Sequence, residues 1–307
     1  MSGLLFFRPV ARSTGYTRQF SDIGSMSNKG FELLLRSVNV DRPSLRWEST
    51  VTYTRNRNRV ESLNIPDFQS SSGYPNRIAV GQPVGVFYGA YAARNCQTGA
   101  FLTDSLGRLR PASSIPAATR TALSGGDCNA SDSKYLGDPN PDFLASLLNE
   151  FTVAKNLRFR VLLDGTFGND VMNLTRRIQD IFVNGTESEF ELLPFGDPRR
   201  VPTGYLNRRG SIFEQYVEDG SFVKLREVAL SYNFDQLPVR RIFPGGVDVT
   251  LAGRNLYTWT DYTGYDPESN LFGQTTERTG QTAADRGFDF ANYPIPRVWS
   301  ISARITY

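Results

Sequence analysis

No histidine occurs among the 307 residues, which removes the commonest general base and metal ligand from any chemistry the chain could perform. The residues with most chemical reach lie late in the sequence, where Trp259, Tyr262 and Tyr265 precede Asp266 and Glu268, with Asp261 among them. Rings beside carboxylates could stack on a polar ligand and hydrogen-bond to it. The carboxylates could instead hold Ca²⁺ or act as an acid–base pair. An Asp-Pro-Glu sequence is equally an ordinary turn, and for the three rings ligand contact and plain loop packing both stay open. A second set is charged and sits in mid-segment: Arg158, Arg160, Asp164, Asp248, Arg254 and Arg304. Cys96 and Cys128, each in polar Gly/Ser-rich surroundings, are either one loop-closing disulfide of an oxidising compartment or two free thiols. There is no nucleophile elbow, no P-loop and no Cys/His cluster at metal spacing. Two carboxylates for glycoside hydrolysis can always be found among 31 acidic residues, so that pairing carries no weight. The expectation is a protein that is not an enzyme and needs no cofactor.

The elements that must position these residues are strands. Period-two alternation recurs across the chain. Val247, Val249 and Leu251 alternate with Asp248, Thr250 and Arg254; Leu157, Phe159, Val161 and Leu163 with Arg158, Arg160 and Asp164; Trp299, Ile301, Ala303, Ile305 and Tyr307 with Ser300, Ser302, Arg304 and Thr306. Val228, Leu230, Tyr232 and Phe234 stand opposite Glu227, Ser231 and Asn233. Phe31, Leu33 and Leu35 do the same against Glu32 and Arg36, as do Trp47, Val51 and Tyr53 against Glu48, Thr50 and Thr52. A weaker case runs through Phe143, Leu147, Phe151 and Val153. These windows run about 9 to 13 residues, the span a tilted strand needs to cross a bilayer. Soluble strands are nearer 5 or 6 residues.

Mean hydropathy is only -0.36, as expected when strands need apolar residues on one face alone. Aromatics reach 12%, and rings such as Trp47, Tyr53, Trp299 and Tyr307 suit a membrane girdle, with sugar stacking as the other reading. No apolar run approaches a membrane-spanning helix, and a net charge of +3 asks for no nucleic acid. Short links near 154–156 and 237–246 alternate with long ones near 61–141, 169–220 and 259–296, the arrangement of a bacterial barrel with short periplasmic turns and long extracellular loops. The fold expected is therefore an all-β transmembrane antiparallel β-barrel. A secreted all-β glycan-binding module or adhesin is the alternative.

Several segments then resemble one family, the SusC/RagA-like TonB-dependent outer-membrane transporters. Ile23-Gly24-Ser25-Met26-Ser27-Asn28-Lys29-Gly30-Phe31-Glu32-Leu33 is similar to a stretch typical of that family, departing at Asp22, where the family has Asn. Leu45-Arg46-Trp47-Glu48 with Arg55-Asn56-Arg57-Asn58-Arg59-Val60 resembles its next strand, and Val80-Gly81-Gln82-Pro83 and Tyr135-Leu136-Gly137-Asp138-Pro139 resemble later loop motifs. Asp219-Gly220-Ser221-Phe222, Gly253-Arg254-Asn255-Leu256, Tyr262-Thr263-Gly264-Tyr265-Asp266-Pro267-Glu268 and Tyr293-Pro294-Ile295-Pro296-Arg297 follow in the family's order. The matches run from about residue 13 to the end.

The resemblance implies a barrel of about 22 strands, plugged by an amino-terminal domain, lidded by a SusD-like surface lipoprotein and powered by the TonB–ExbB–ExbD complex. It implies residence in the lipid of the outer membrane and import of oligosaccharides or peptides. Residues 1–307 are expected to be one partial barrel domain, a carboxy-terminal portion with plug and TonB box absent. The first residues offer no signal peptide, and the last strand ends on Tyr307, where the family's assembly signal is most often Phe. In isolation such a portion is expected to carry two unpaired sheet edges. In that frame the six mid-strand charges face the lumen, and the aromatic and acidic residues at 259–268 contact substrate.

Overall fold

A computed structural model describes the chain apart from residues 1–4, 10, 11, 17, 70–73, 117–128, 130, 183–188, 235–240, 242, 244, 245, 271–285 and 307. Fifteen strands occur in chain order among the described residues. They are β1 (Leu5–Pro9), β2 (Arg18–Asp22), β3 (Gly24–Arg42), β4 (Leu45–Leu63), β5 (Asn76–Arg77), β6 (Val86–Ala90), β7 (Ser133–Gly137) and β8 (Phe143–Val153), followed by β9 (Leu157–Phe167), β10 (Asp170–Asn173), β11 (Val217–Asp219), β12 (Phe222–Phe234), β13 (Val247–Thr260), β14 (Phe288–Asp289) and β15 (Val298–Ile305). Three helices, α1 (Leu174–Phe182), α2 (Glu189–Leu192) and α3 (Tyr205–Gly210), lie between β10 and β11.

Seven of the strands make one antiparallel sheet in the order β15-β13-β12-β9-β8-β4-β3. Each alternating window of the sequence falls in one of these strands. The sheet is a meander, so its connections fall alternately at its two ends. Arg42 to Leu45, Val153 to Leu157 and Phe234 to Val247 turn at one end; the connections β4 to β8, β9 to β12 and β13 to β15 all leave from the other. The turn between β8 and β9 places Ala154 and Lys155 at φ 48 and 68, left-handed positions that a short hairpin requires even without glycine. The sheet is open: β3 and β15 each pair on one side only.

Strands β3 and β4 run 19 residues each, well beyond the windows the alternation marked. The ladder continues through Arg55 to Val60 against Met26 to Phe31, but both faces there carry polar residues, so hydrophobic alternation ends before hydrogen bonding does. The register divides the sheet into two faces. One row on the first face reads Trp47, Phe151, Phe159, Leu230, Leu251 and Ile301; the row beside it on the second face reads Arg46, Thr152, Arg158, Ser231, Thr250 and Ser302. The first face is mainly apolar, with Ser49 and Asn149 hydrogen-bonded to each other within it, and the second is mainly polar or charged, with Leu148 and Leu162 among its residues.

Rings gather on the apolar face. Phe31, Tyr53, Phe143 and Phe167 form a ladder over four strands, with centroids 6.4, 5.4 and 4.6 Å apart. Trp47 stacks on Phe151 at 5.5 Å, and Phe151 meets Phe159 at 6.0 Å. Two glycines make room. A Cβ on Gly165 would lie 2.6 Å from the Phe167 ring, and one on Gly253 would lie 2.8 Å from its cross-strand neighbour Trp299.

The core lies elsewhere, in the long connections. Phe87, Met172, Leu174 and Phe288 form one buried cluster; Ala92, Leu109 and Ile212 form another; Ile23, Val60 and Ile78 form a third where β4 ends. Two small sheets, β5-β6-β7 and β11-β10-β14, frame them. The segments read from sequence as long loops are thus folded, with helices, sheets and interiors of their own. No helix among the described residues is long and apolar enough to cross a membrane, which says nothing of crossing by strands.

Candidate functional site: a charged sheet face capped by folded connections

A single-residue irregularity decides which charges share the polar face. Leu225 pairs with Leu163 but Glu227 with Leu162, so Arg226 is an extra residue in β12. Such a bulge inverts the alternation. Lys224 and Val228, of the same parity, therefore point to opposite faces. Lys224 stands on the row of Asp164, while Val228 joins Val161 and Gly253 on the apolar side.

Lys224 is the centre of the strongest cluster. Its Nζ donates to Asp266 Oδ1 and Oδ2 at 2.7 and 2.9 Å and to Glu268 Oε2 at 2.8 Å. Arg226 donates to both Glu268 oxygens at 2.7 and 2.8 Å and to Asp164 Oδ2 at 2.9 and 3.0 Å. Lys224 and Asp266 side chains are 3% and 6% exposed. Burial pushes the Glu268 carboxyl up, but hydrogen bonds from Arg226 and Lys224 outweigh it and hold the group below its ordinary range. The connection after β13 is thereby pinned to β12 by charge. Asp266 and Glu268 are spent on cations, and among the described residues no group of three or more His, Cys, Asp or Glu side chains could hold a metal ion.

The other acidic and aromatic candidates separate. Tyr262 is buried and donates to Asp289 Oδ2 at 2.7 Å; burial, then the Asp289 charge, drives its hydroxyl far above the normal range. It packs a junction and is not open to a ligand. Tyr265 is 69% exposed beside it. Trp259 lies within β13, one residue from its end and so beside the long connection, on the apolar face, 50% exposed and in edge contact with Tyr257. Asp261 is exposed.

The six mid-strand charges share the polar face and largely pair across strands. Arg158 reaches Asp248 at 3.6 Å, Arg160 reaches Glu227 at 3.5 Å and Glu150 at 3.9 Å, and Arg254 donates to Glu227 at 3.1 Å. Asp164 is taken by Arg226. Arg304 stands opposite Asp248 in register, with no ion pair among the described residues. Each exposed pair is worth little alone, about 0 to 1 kcal/mol.

Of the four rings expected at a girdle, Trp47, Tyr53 and Trp299 lie on the apolar face, Trp299 at 68% exposure; Tyr307 lies outside the described residues. Cys96 carries no free thiol, and Cys128 lies outside the described residues.

Sequence reasoning missed several anchors of the connections. Asp180 Oδ2 accepts from Arg209 at 2.6 and 2.8 Å and from the buried Tyr216 hydroxyl at 2.5 Å. Glu214 takes Lys134, Arg94 and the Ala92 N–H at 2.6 to 3.0 Å. A cavity of about 430 Å³ opens among Phe68, Arg77, Tyr88, Ser133 and Phe213, within the usual size of small-ligand sites. These residues are far apart in sequence, so no local signal marks them.

No family model matches the chain. Two TonB-dependent receptors of Formosa agariphila align with it, at 31% identity over 320 residues and at 26% over 316, each across 99% of this chain. The chain spans 31% of the length of each. Among solved structures, the RagAB peptide transporter covers 98% of the chain with a TM-score of 0.69 at 19% identity, and the RagAB peptide importer in an open-open state gives the same score at 18%. The chain covers 31% of each of those chains too. At such identities the likeness is one of fold.

Proposed function

We propose, for a chain that belongs with the TonB-dependent receptors along nearly its whole length, that it builds part of the wall of an outer-membrane β-barrel of the SusC/RagA-like type. The receptor carrying this wall takes up oligosaccharides or peptides by active transport. The observation that carries the reading is one seven-stranded sheet with an apolar face, a charged face and every long connection at one end. From Val247 to Trp259 the apolar row of β13 extends twelve residue steps, about 40 Å of strand. At a tilt of about 45° that is about 28 Å of height, close to the ~25 Å apolar band of outer-membrane barrels.

In this reading the apolar face meets lipid, with Trp47, Tyr53 and Tyr307 towards its margins; Trp299, opposite Gly253, stands near the middle of the row and not at a girdle. Arg158, Arg160, Asp164, Asp248, Arg254 and Arg304 face the lumen. The three long connections stand outside the cell and the short turns in the periplasm. The free edges of β3 and β15 join further wall, to a total of about 22 strands. A Cys96–Cys128 disulfide closes part of the first connection. The lid is a SusD-like lipoprotein, and energy comes through the TonB–ExbB–ExbD complex; both belong to the whole receptor, since the relatives are about three times longer than this stretch. Tyr265 and Trp259 are the rings of the 259–268 region that remain open to substrate or lid. The solved neighbours are described as peptide importers, which favours peptide over oligosaccharide as the first cargo to try.

Single cysteines separate this reading from a secreted module. With the receptor in nanodiscs, a fluorophore on Leu251→Cys is expected to be quenched by brominated lipid. One on Thr250→Cys, the next residue along the strand, is expected to be quenched only from water. Recovery as a soluble monomer without detergent would sink the proposal. A secreted glycan-binding module would need another protein to cover the same apolar face, and no observation favours one.

A further inference from the structure

The outward face of β4 changes character just past the aromatic ladder. After Trp47, Val51 and Tyr53, the next residues on that face are Arg55, Arg57 and Arg59, and Lys29 of β3 stands directly opposite Arg57. All four are exposed. Residues two apart on a strand are about 7 Å apart, so the arginines make a row about 14 Å long that continues the apolar face. The intervening residues turn the other way: Asn58 Oδ1 accepts the Val84 N–H of the first long connection at 2.7 Å.

Like charges set directly opposite each other on a ladder repel, so this row calls for a counter-anion. Arg57 has one, Asp142. Glu61, at the far end, accepts the Ser27 hydroxyl at 2.5 Å. Lys29, Arg55 and Arg59 have no ion pair among the described residues. Guanidinium groups are weakly hydrated and present donors in a fork that matches phosphate oxygens. Directly below them, Phe31, Leu33, Leu35, Val51 and Tyr53 offer apolar surface to acyl chains.

We infer that Lys29, Arg55 and Arg59 form a docking strip for the phosphate-bearing headgroup of an anionic lipid in the leaflet beside the long connections, with its chains lying on the apolar row below. The inference rests on the membrane reading above, because the strip is useful only if that row meets lipid. A soluble phosphate compound would satisfy the arginines but leave the adjoining apolar row without a purpose, which is why a lipid is the occupant chosen.

The test titrates the full receptor, purified in a mild uncharged detergent, with bisphosphorylated lipid A, with its dephosphorylated form and with phosphatidylcholine, counting retained lipids by native mass spectrometry. Wild type is expected to retain the bisphosphorylated lipid and to bind the dephosphorylated form on the order of a hundredfold more weakly, a factor of about five for each of three cations. Lys29→Gln, Arg55→Gln and Arg59→Gln together are expected to give the same loss, and Arg55→Lys with Arg59→Lys to restore much of it. The dephosphorylated-lipid arm needs no variant, so it stands even if the triple substitution fails to fold. Equal retention of phosphorylated and dephosphorylated lipid by a detergent-bound wild-type receptor would overturn this inference and leave the barrel reading intact. Full competition by inorganic phosphate at matched ionic strength would also overturn it, since the site would then be indifferent to the lipid. A wild type that needs no detergent would overturn both.

Discussion

Within the long connections Phe87, Met172, Leu174 and Phe288 are at most 4% exposed, whereas on the apolar face of the sheet Leu230, Leu251, Trp299 and Ile301 stand 45 to 77% exposed. A water-soluble β protein reverses this, with cores between sheets and polar loops outside. Each region thus answers to its own surroundings. The connections are self-contained and build interiors, buried ion pairs and small sheets of their own. The sheet has no interior: one face is mainly apolar and uncovered, and the other pairs most of its charges across strands or, at Lys224 and Arg226, with the connection after β13. Contiguous exposed apolar area on that scale marks a membrane or an interface.

If the regions are energetically separate, damage to one should not spread. The largest effect is expected from Lys224→Met, which leaves Asp266 buried without its cation and should cost about 3 to 5 kcal/mol of local stability. Hydrogen exchange should rise across 261–270 while the amides of β8 and β9 stay protected. Adding Asp266→Leu should recover most of the loss, because an apolar pair can replace a buried ionic one. Global unfolding of the sheet in the single variant would show that the two regions are one cooperative unit. Next in size is Leu251→Arg, expected to lower folding stability in lipid vesicles by about 2 to 4 kcal/mol in a denaturant titration. Thr250→Arg, on the charged face, should change it little. Equal costs for the two would mean that the faces do not differ in solvent.

Much of the sheet was legible in sequence because its strands alternate cleanly. Leu157–Phe167 and Phe222–Phe234 are bounded as the pattern has them. What was hidden has physical causes. The bulge at Arg226 inverts parity, so simple alternation puts Lys224 and Arg226 with Val228 and Leu230 and conceals the partners of Asp266 and Glu268. Those two carboxylates stood out as possible ligand-binding groups, and their role as anchors depended on cations more than 40 residues away. The interiors of the connections carry no periodic signal at all: Phe87 meets Phe288 at 5.2 Å across 201 positions. Burial of Tyr262 follows from Asp289, which the local sequence does not point to.

A smaller effect tests whether the apolar face gains anything from its rings beyond area. Phe143 stacks between Tyr53 and Phe167, and aromatic pairs add about 0.5 to 1.5 kcal/mol beyond burial. Phe143→Leu should therefore cost about that much in vesicles. The cost should largely vanish in a Tyr53→Leu, Phe167→Leu background if the ladder acts as a unit.

The smallest effect is expected from pH and is confined to the connections. Because Arg226 and Lys224 hold Glu268 below its ordinary 4.5 in the folded protein, its contribution is complete above that value and is lost as pH falls through the lowered one. Exchange at 261–270 should thus rise gradually as pH drops from about 6 to about 3 after correction for intrinsic rates. Glu268→Gln should flatten that rise while weakening the anchor at neutral pH. Asp266, still chelated by Lys224, keeps the segment docked in that variant, so the change should be graded and not a release. If β12 and β13 respond to pH as strongly as 261–270 does, charge pairing on the polar face titrates with the anchor, and the sheet is less independent of its connections than their packing implies.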